Sequence, residues 1–319
     1  MRADLLDVVS CVANPMRWAS RITLAKQFIQ HMLDSGVNLT VVETAYGDRP
    51  FELDTIPHIK HIPTRATTMA WSKESALNVG IRALPPTSNY VCWADSDIEF
   101  RNSGWATETV HQLQVQPVVQ PWSEAIDMGP LGEAMNVKGK EIQRSFGWVW
   151  RTTGDVQNWW KKEKAGEPYH YPHSGYSWAA TMDFLNKTGM LLDRSGLGAA
   201  DHQMSLGMVG LANNAIHGLS TASYCNYVKA WGDRAFTACQ GHVGFVQGRI
   251  EHHFHGDKSL RKYVERWDIL NKYAFDPNTD LIVNRWGILE LANNKPEMRR
   301  AFDQYFAQRN EDANVRLDW

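Results

Sequence analysis

Apolar and polar positions along residues 1–120 alternate between short β-branched runs and longer segments with helical spacing. The helical segment after the first run places Ile22, Ala25 and Ile29 on one side, and Gly36 ends it. The predicted elements are strands at 6–13, 39–42, 59–62 and 90–94, and helices at 19–33 and 72–84. Strands that alternate with helices of this length predict parallel β-α-β units, which bind ligands beyond the carboxyl ends of their strands.

The pattern changes after Pro121. Residues 138–171 are polar, basic and rich in Trp and Tyr, and they show little periodicity. Regular patterns return near residue 177, and the later predicted elements are helices at 201–211, 259–273 and 296–308 and a strand at 243–250. No repeat, low-complexity tract or clear linker divides the chain, so we expect one large α/β domain.

Composition narrows the class of protein. A hydrophobic fraction of 43% in 319 residues is enough for a sizeable core. The formal net charge of −2 gives no overall attraction to nucleic acid or to anionic membranes, so any basic surface must be local. The four cysteines are far apart and are expected to be reduced thiols. No signal peptide and no membrane-length apolar run is visible, so we expect a soluble cytoplasmic protein without a membrane partner.

The most informative motif is Asp95-Ser96-Asp97, which directly follows the apolar strand 90–94. A buried strand would deliver both carboxylates to the rim of the sheet, where they could hold Mg²⁺ or Mn²⁺ and, through it, a diphosphate. An isolated Asp-X-Asp is more often a turn or a helix cap. The strand before it and the histidines far downstream favour the metal site.

Three histidines follow the strand predicted at 243–250, at His252, His253 and His255. In an extended segment, alternation would put His253 and His255 on the same face. His255 with Asp95 and Asp97 would make a metal site of one imidazole and two carboxylates, which favours Mn²⁺ over Mg²⁺. The alternatives are histidines that are exposed or merely hydrogen-bonded, and a zinc site, although no cysteine pair supports zinc.

A Gly-rich stretch over 196–202 leads into Asp201 and His202 at the start of a predicted helix. Glycines leave room for a substrate to approach the backbone, and Asp201 would then be a general base for a hydroxyl group. The alternative is a simple helix N-cap.

Further candidates lie on the predicted β-α-β units and on the basic segment. Arg17 and Lys73 could contact a phosphate or diphosphate, Glu43 could contact a base or ribose, and Asn78 shares the helix of Lys73. A solvated helix face is the alternative for Lys73. Trp148 and Trp159 of the basic segment could stack on sugars or bases, or they could pack back on the domain. The sequence contains no Gly-X-Gly-X-X-Gly after the first strand, no P-loop and no Gly-X-Ser-X-Gly elbow.

These motifs, in this order, resemble glycosyltransferases of the GT-A fold over roughly residues 5–275. The matching segments are Asn-Pro-Met-Arg-Trp at 14–18, Trp-Ser-Lys-Glu-Ser-Ala-Leu-Asn at 71–78, Trp-Ala-Asp-Ser-Asp-Ile at 93–98, Gly-Tyr-Ser-Trp-Ala-Ala at 175–180, Gly-Ala-Ala-Asp-His-Gln-Met at 198–204 and His-Phe-His-Gly-Asp-Lys at 253–258. The end of this region, with Arg261-Lys262-Tyr263 and Arg266-Trp267-Asp268-Ile269-Leu270, is most similar to a group of bacteriophage glycosyltransferases.

The layout also resembles the β-1,4-galactosyltransferases. That resemblance implies that Asp97 and His255 are metal ligands and that Asp201 is the catalytic base. Ala200 stands where those enzymes have an acidic residue, so their acceptor contact is missing here. We therefore expect this chain to share the donor chemistry of those enzymes more closely than their acceptor.

The resemblance implies an α/β, Rossmann-like GT-A fold with a mixed central sheet. We expect one catalytic domain over 1–275, with a donor-binding half to about 122 and an acceptor-binding half from about 123, and a helical extension over 276–319. The donor would be a nucleotide-sugar, most simply a UDP-sugar. Its expected contacts are Arg17, Glu43, Lys73, Asn78, Asp95 and Lys258. Trp148, Trp159, Trp178 and His202 would contact the acceptor.

The expected activity is metal-dependent transfer of a sugar to a hydroxyl group, with inversion unless Asp201 lies far from the acceptor. The phage resemblance and the basic Trp-rich segment favour a hydroxymethylated pyrimidine in phage DNA, in the host cytoplasm. A surface glycan or lipid-linked sugar is the rival acceptor. A nucleotidyltransferase is the alternative of another class, since it would use Asp95 and Asp97 but needs no base like Asp201. A non-catalytic sugar-binding module would not need the carboxylates.

Overall fold

The computed structural model describes residues 2–136, 141–157 and 171–313. Their strands are β1 (Leu6–Ala13), β2 (Asn38–Tyr46), β3 (Lys60–Ala66), β4 (Tyr90–Ala94), β5 (Ile98–Phe100), β6 (Val118–Gln120), β7 (Glu124–Asp127), β8 (Ile142–Arg144), β9 (Ser177–Thr181), β10 (Val243–Phe245), β11 (Arg249–His252), β12 (Leu281–Val283) and β13 (Leu289–Leu291). Their α-helices are α1 (Ala19–Asp34), α2 (Lys73–Arg82), α3 (Trp105–Leu113), α4 (Phe146–Thr153), α5 (Met182–Thr188), α6 (Ala200–Met208), α7 (Ala222–Cys239), α8 (Arg266–Lys272) and α9 (Pro296–Gln308).

A seven-stranded sheet in the order β10-β6-β9-β4-β1-β2-β3 forms the centre of the molecule. β9 runs antiparallel to both of its neighbours, β4 and β6, while the other pairs are parallel. The predicted α/β fold with a mixed central sheet is therefore confirmed. The predicted bounds of β1, β4 and α9 agree with the structure to the residue.

Successive residues of β1 face opposite sides of this sheet, as the period of a strand requires. Val8 belongs to the apolar cluster on the α1 side, and Val9 belongs to the cluster on the α2 side. The helix α2 lies very close to the sheet at Gly80, where an added Cβ would come 2.5 Å from a methyl group of Val9. This close approach fixes the start of α2, and with it Lys73, beside the carboxyl ends of β1 and β4.

A second, four-stranded sheet in the order β5-β11-β7-β8 lies next to the central one. Its register pairs His252, the last residue of β11, with Asp127 on the parallel strand β7. On the other side His252 pairs with Ile98, the first residue of the antiparallel strand β5. Asp97 directly precedes Ile98, so this register brings Asp97, Asp127 and His252 together.

Two predicted elements are wrong. The strand predicted at 243–250 is two strands, β10 and β11, which belong to different sheets and are separated by Gly248. The helix predicted at 259–273 is a short 3₁₀ helix, Lys258–Arg261, followed by α8. Lys262 adopts φ +49°, a left-handed conformation that interrupts the helix although the apolar spacing continues across it.

The segment after residue 275 is part of the same apolar core. Phe302 and Phe306 of α9 are buried in the cluster that also contains Leu77 of α2. The hairpin β12–β13 places Ile288 against Ala76 in a smaller cluster. In the described part of the chain, no helix has both the length and the apolar character needed to cross a membrane.

Candidate metal centre and active-site cleft

A cleft of about 910 Å³ opens where β1 and β4 end. It is lined by carboxylates, cations, histidines and aromatic side chains from both sheets and from the segment after α9. The charged and imidazole groups around it include Lys73, Asp95, Asp97, Asp201, His252, His255, Lys258, Arg261 and Arg266.

Asp97, His252 and His255 converge at one wall of the cleft. The Oδ2 of Asp97 lies 3.0 Å from Nε2 of His255, and its Oδ1 lies 3.8 Å from Nε2 of His252. One ligand atom from each of the three residues lies within 4.8 Å of the others. The Asp97 Oδ1 atom is buried and has no hydrogen-bond partner among the described residues. An orphaned carboxylate oxygen beside two imidazole nitrogens fits a divalent cation.

His252 is held by a buried carboxylate. Its Nδ1 lies 2.8 Å from Oδ1 of Asp127, a residue that also accepts a hydrogen bond from the hydroxyl of Tyr176 at 2.9 Å. The Nδ1 atom must therefore donate, which leaves the Nε2 lone pair directed toward Asp97. Burial lowers the pKa of His252 to about 4, so the imidazole is neutral at pH 7.

His255 has the complementary arrangement. Its Nε2 lies 3.0 Å from Oδ2 of Asp97 and 2.9 Å from Nη2 of Arg261. Its Nδ1 lies on the other side of the ring, 3.4 Å from Oε2 of Glu311, and is buried without a hydrogen-bond partner among the described residues. Both imidazoles thus direct Nε2 toward Asp97 and Nδ1 toward a carboxylate.

The expected metal ligands were Asp95, Asp97 and His255, whereas the structure groups His252 with Asp97 and His255 and leaves Asp95 out. The expected alternation of the histidines is also wrong. His253 does not share a face with His255, because β11 ends at His252 and the chain then turns. Its Nε2 lies instead 3.7 Å from Glu99. Asp95 forms an ion pair with Lys73 rather than joining the cluster of Asp97. The structure therefore groups two imidazoles with one carboxylate.

The ion pair of Lys73 and Asp95 lies in the cleft beside this cluster. Burial disfavours a charge on Lys73, but the nearby carboxylates of Asp95 and Asp201 outweigh that effect and raise the pKa of Lys73. Lys73 therefore stays cationic and is available to an anionic ligand.

Asp201 lies on another wall of the cleft, in the first turn of α6. It is not the N-cap, which is Ala199 with φ +85°. Its Oδ1 accepts a hydrogen bond from the backbone N–H of His202, and its Oδ2 lies 3.1 Å from the position that a Cβ of Gly175 would occupy. Burial opposes its ionisation, but Lys73 and Arg266 outweigh burial and lower the pKa of Asp201, so it is a carboxylate at neutral pH.

Two of the expected donor contacts are structural instead. Glu43 is buried, and its carboxylate accepts hydrogen bonds from the backbone N–H groups of Glu52 and Leu53. The side chain of Asn78 is buried against the backbone of Leu191, with which its amide both donates and accepts. Neither residue lines the cleft, because each carboxylate or amide is used to hold a neighbouring loop.

Lys73 and Asp95 both line the cleft, while the remaining expected donor contacts, Lys258 and Arg17, differ from each other in position. Lys258 lines the cleft and forms an ion pair with Asp127. Arg17 is exposed in a turn, with φ +61°, and is not among the residues that line the cleft.

The four expected acceptor contacts are in four different situations. Trp178 is wrong: it is 2% exposed in the central strand β9, where its indole donates to the carbonyl of Ser174, so it is a core residue. His202 lines the cleft, and its Nδ1 is hydrogen-bonded to the hydroxyl of Tyr171. Trp148 is half-buried beneath the guanidinium of Arg144, at 4.6 Å from its ring centroid. Trp159 lies outside the described residues.

Several groups in the cleft or behind its wall were given no role from the sequence. Asp127 carried a recognisable signal, since it ends an apolar strand. Arg261 stands in a segment that carries the family resemblance. Arg21 and Glu311 had no signal, because 290 residues separate the two partners in sequence.

Glu74 is a buried acid at the floor of the cleft, next to Lys73 on α2. It is 3% exposed, and its Oε2 has no hydrogen-bond partner among the residues that the structure describes. Burial raises the pKa of Glu74 to about 8. Glu74 is therefore largely protonated at neutral pH, unlike Asp201.

No protein-family model and no curated protein matches the chain. Among solved structures, it is similar to residues 1–349 of S. aureus TarS, with 10% identity and a TM-score of 0.43, over 97% of this chain and 70% of that one. The same protein in complex with UDP-GlcNAc gives 8% identity and a TM-score of 0.44, over 97% and 72% of the two chains. A mutant of Drosophila β1,4-galactosyltransferase 7 in complex with manganese, UDP-Gal and xylobiose gives 10% identity and a TM-score of 0.41, over 92% and 97%. These likenesses are distant, so the chemistry of the cleft rests on the residues of this chain.

We expect Glu74 to make folding stability fall as the pH rises from about 4.5 to about 8. In this window the folded protein keeps a proton that the unfolded chain has lost, so ionisation favours unfolding by up to about 1.4 kcal/mol per pH unit. Glu74→Gln should remove this pH dependence, so that the free energy of unfolding at pH 8 rises relative to that at pH 5. Urea unfolding at several pH values measures the free energy of unfolding, and Glu52→Gln, at an exposed position, is the control. An unchanged pH dependence in Glu74→Gln would contradict the prediction.

Proposed function

We propose that this chain is a divalent-metal-dependent glycosyltransferase that moves a sugar from a nucleotide-sugar, with UDP as the expected nucleotide, to a hydroxyl group. The observation that supports it most directly is the cluster of Asp97, His252 and His255 in a cleft that also contains cationic groups and a separate carboxylate, Asp201. Such a cleft has places for a metal ion, a diphosphate and a base, which are the three groups that this transfer requires.

The donor side of the cleft suits a diphosphate. Lys73, Lys258 and Arg261 line it together with the metal ligands, and Arg21 lies on the same wall. A bound divalent cation would offset the charge that develops on the leaving diphosphate. Two imidazoles and one carboxylate form a donor set that favours Mn²⁺ over Mg²⁺. Lys73 would add a fixed positive charge close to the same phosphates.

The acceptor side of the cleft suits a hydroxyl group. Asp201, as a carboxylate that faces the cleft, would take the proton of the acceptor hydroxyl. The acceptor oxygen would bond to the anomeric carbon while the bond from that carbon to the diphosphate oxygen breaks. Attack from the side opposite the leaving group would invert the configuration. A retaining product would mean that Asp201 lies too far from the acceptor to act in this way.

For the acceptor we propose a hydroxymethylated pyrimidine of DNA. The support is the sequence of residues 138–171, in which Lys and Arg outnumber Asp and Glu and tryptophans are interleaved, within a chain of net charge −2. All five lysines of this segment lie outside the described residues. The base would have to be unstacked or flipped to enter the cleft. Transfer to a surface glycan or a lipid-linked sugar is the rival outcome.

A nucleotidyltransferase fits the cleft less well. It would use Asp95 and Asp97 as a joint pair of metal ligands, but Asp95 is engaged by Lys73. It would also leave Asp201 without a role.

Removing a metal ligand should weaken metal binding without unfolding the protein, because these side chains line a cleft. We expect Asp97→Asn and His252→Ala each to lower Mn²⁺ affinity more than about 10-fold, as changes around metal sites commonly do. Calorimetric titration with Mn²⁺ measures the affinity. His253→Ala is the matched control, since it removes a neighbouring imidazole that is outside the cluster. Equal affinity in all four proteins would overturn the metal site.

Asp201→Asn should leave donor binding intact and slow the transfer. The amide keeps the shape of the side chain but cannot accept a proton, so turnover should fall by roughly 10²–10⁴-fold. Turnover with a panel of nucleotide-sugars, together with the donor dissociation constant, separates the two effects. Asp183→Asn, in the first turn of α5 and exposed, is the control. Near-normal turnover in Asp201→Asn would remove its role as base.

If the acceptor is DNA, its affinity should fall steeply with salt, because contacts to phosphates release counterions. Replacing Lys161, Lys162 and Lys164 with Ala should reduce the slope of log affinity against log salt and leave donor hydrolysis unchanged. Filter binding with hydroxymethylated DNA at several salt concentrations measures the slope. Salt-independent transfer, or transfer only to glycans, would overturn the DNA acceptor and leave the glycosyltransferase assignment in place.

A further inference from the structure

Residues 309–312, which follow α9, cross the wall of the cleft at the metal-ligand cluster. We call them the 309–312 segment. The carboxylate of Asp312 accepts hydrogen bonds from the backbone N–H groups of Ala19 and Ser20, both at 2.9 Å, at the start of α1. Glu311 is 1% exposed. The segment is therefore anchored to α1, with Arg309 and Glu311 buried, although 290 residues separate Arg21 from Glu311 in sequence.

The carboxylate of Glu311 contacts two arginines and one histidine. Arg21 donates to both of its carboxylate oxygens, at 2.6 Å and 2.7 Å, and Arg309 donates to Oε1 at 2.8 Å. Its Oε2 also lies 3.4 Å from Nδ1 of His255. The two arginines hold the carboxylate in place, since a bidentate guanidinium contact restricts both position and orientation.

The backbone beside His255 is shaped to admit this segment. Gly256 adopts φ +86°, and a Cβ at that position would come 2.8 Å from Cα of Glu311 and 3.1 Å from the carbonyl oxygen of Asn310. Only a glycine satisfies both the conformation and the close approach. The contact between the segment and the His255 loop is therefore a main-chain contact as well as a side-chain one.

We propose that Glu311 is a positioning residue of the metal centre, holding His255 with Nδ1 toward its carboxylate and Nε2 toward the cation. This proposal rests on the metal site of the proposed function. Asp127 has the equivalent position behind the other imidazole, since its Oδ1 lies 2.8 Å from Nδ1 of His252. Carboxylates on the far nitrogen of a ligating histidine fix the tautomer and ring orientation and increase the basicity of the ligand. The site would thus have one carboxylate behind each imidazole, one from β7 and one from the 309–312 segment.

The rival explanation is that Glu311 only neutralises Arg21 and Arg309. In that case its loss would lower stability but would not alter metal binding once the protein is folded. Metal affinity and ligand geometry therefore distinguish the two roles, whereas thermal stability does not.

The test compares Glu311→Gln with the wild-type chain and with Asp280→Asn. Asp280 is the matched control, because it is a fully buried carboxylate that accepts from Lys295 at 2.7 Å and does not line the cleft. Co²⁺ is the probe: its visible absorption reports the coordination geometry and its titration gives the affinity, without any turnover. We expect Glu311→Gln to weaken Co²⁺ binding about 10–100-fold and to change the spectrum, whereas Asp280→Asn should bind like the wild type.

A second measurement tests whether Glu311 acts through His255. In a His255→Ala background, Glu311→Gln should cause no further loss of Co²⁺ affinity, because the group that it positions is absent. If Glu311→Gln lowers Co²⁺ affinity as much in the His255→Ala background as it does in the wild-type chain, the proposal is overturned. If Glu311→Gln does not fold, Glu311→Asp keeps the charge but withdraws the carboxylate by one methylene, and it should weaken Co²⁺ binding in the same direction.

The outcomes separate this proposal from the function on which it rests. If wild-type protein binds Co²⁺ and Glu311→Gln binds it with equal affinity and an identical spectrum, Glu311 is only a partner of the arginines. If the wild-type protein binds neither Co²⁺ nor Mn²⁺, the metal site itself is wrong and the proposed function fails with it.

Discussion

One carboxylate and two imidazoles, from Asp97, His252 and His255, meet at one point in the wall of the cleft. Each imidazole directs Nε2 toward Asp97 and Nδ1 toward a second carboxylate, that of Asp127 for His252 and that of Glu311 for His255. Such a group of acceptor atoms is stabilised by nearby positive charge. Arg261 supplies part of it, at 2.9 Å from His255, and the orphaned oxygen of Asp97 leaves room for more.

The fold builds this point from three separate parts of the chain. The second sheet aligns β5, β7 and β11, so that the residue before β5 and the last residues of β7 and β11 meet. A turn after β11 returns His255 to the same place. The 309–312 segment, which follows α9, then closes the wall from behind. Because the second sheet draws its strands from widely separated positions and the 309–312 segment lies far from them in sequence, the geometry of the centre depends on the sheet being formed and on α9 being packed.

The same cleft separates two kinds of carboxyl group. Asp201 stays ionised because Lys73 and Arg266 outweigh the effect of burial, while Glu74, in the same cleft, is kept largely protonated by burial. Pairs of acids with opposite protonation are a common feature of sites that move protons. Lys73 interacts with both of them and with Asp95, so it couples the donor wall to the acceptor wall electrostatically.

The amino-acid sequence determined strands β1 to β4 of the central sheet and the carboxylates that follow β4, because periodicity and strand-end carboxylates are local patterns. Strands β6 and β9 of the same sheet were not predicted. β1, β4 and α9, and the position of Asp97 at the sheet edge, follow from residues within a few positions of one another. That His255 meets Asp97 was expected, but His252 was not, because the register of the second sheet and the turn after His252 decide which imidazoles reach Asp97. Trp178, Glu43 and Asn78 were misplaced for a related reason: residue type indicates what a side chain can bind, but only packing decides whether it faces a cleft or a neighbouring loop. Glu311 and Arg21 could be joined only in the folded protein, since the ion pair between them closes nearly the whole length of the chain.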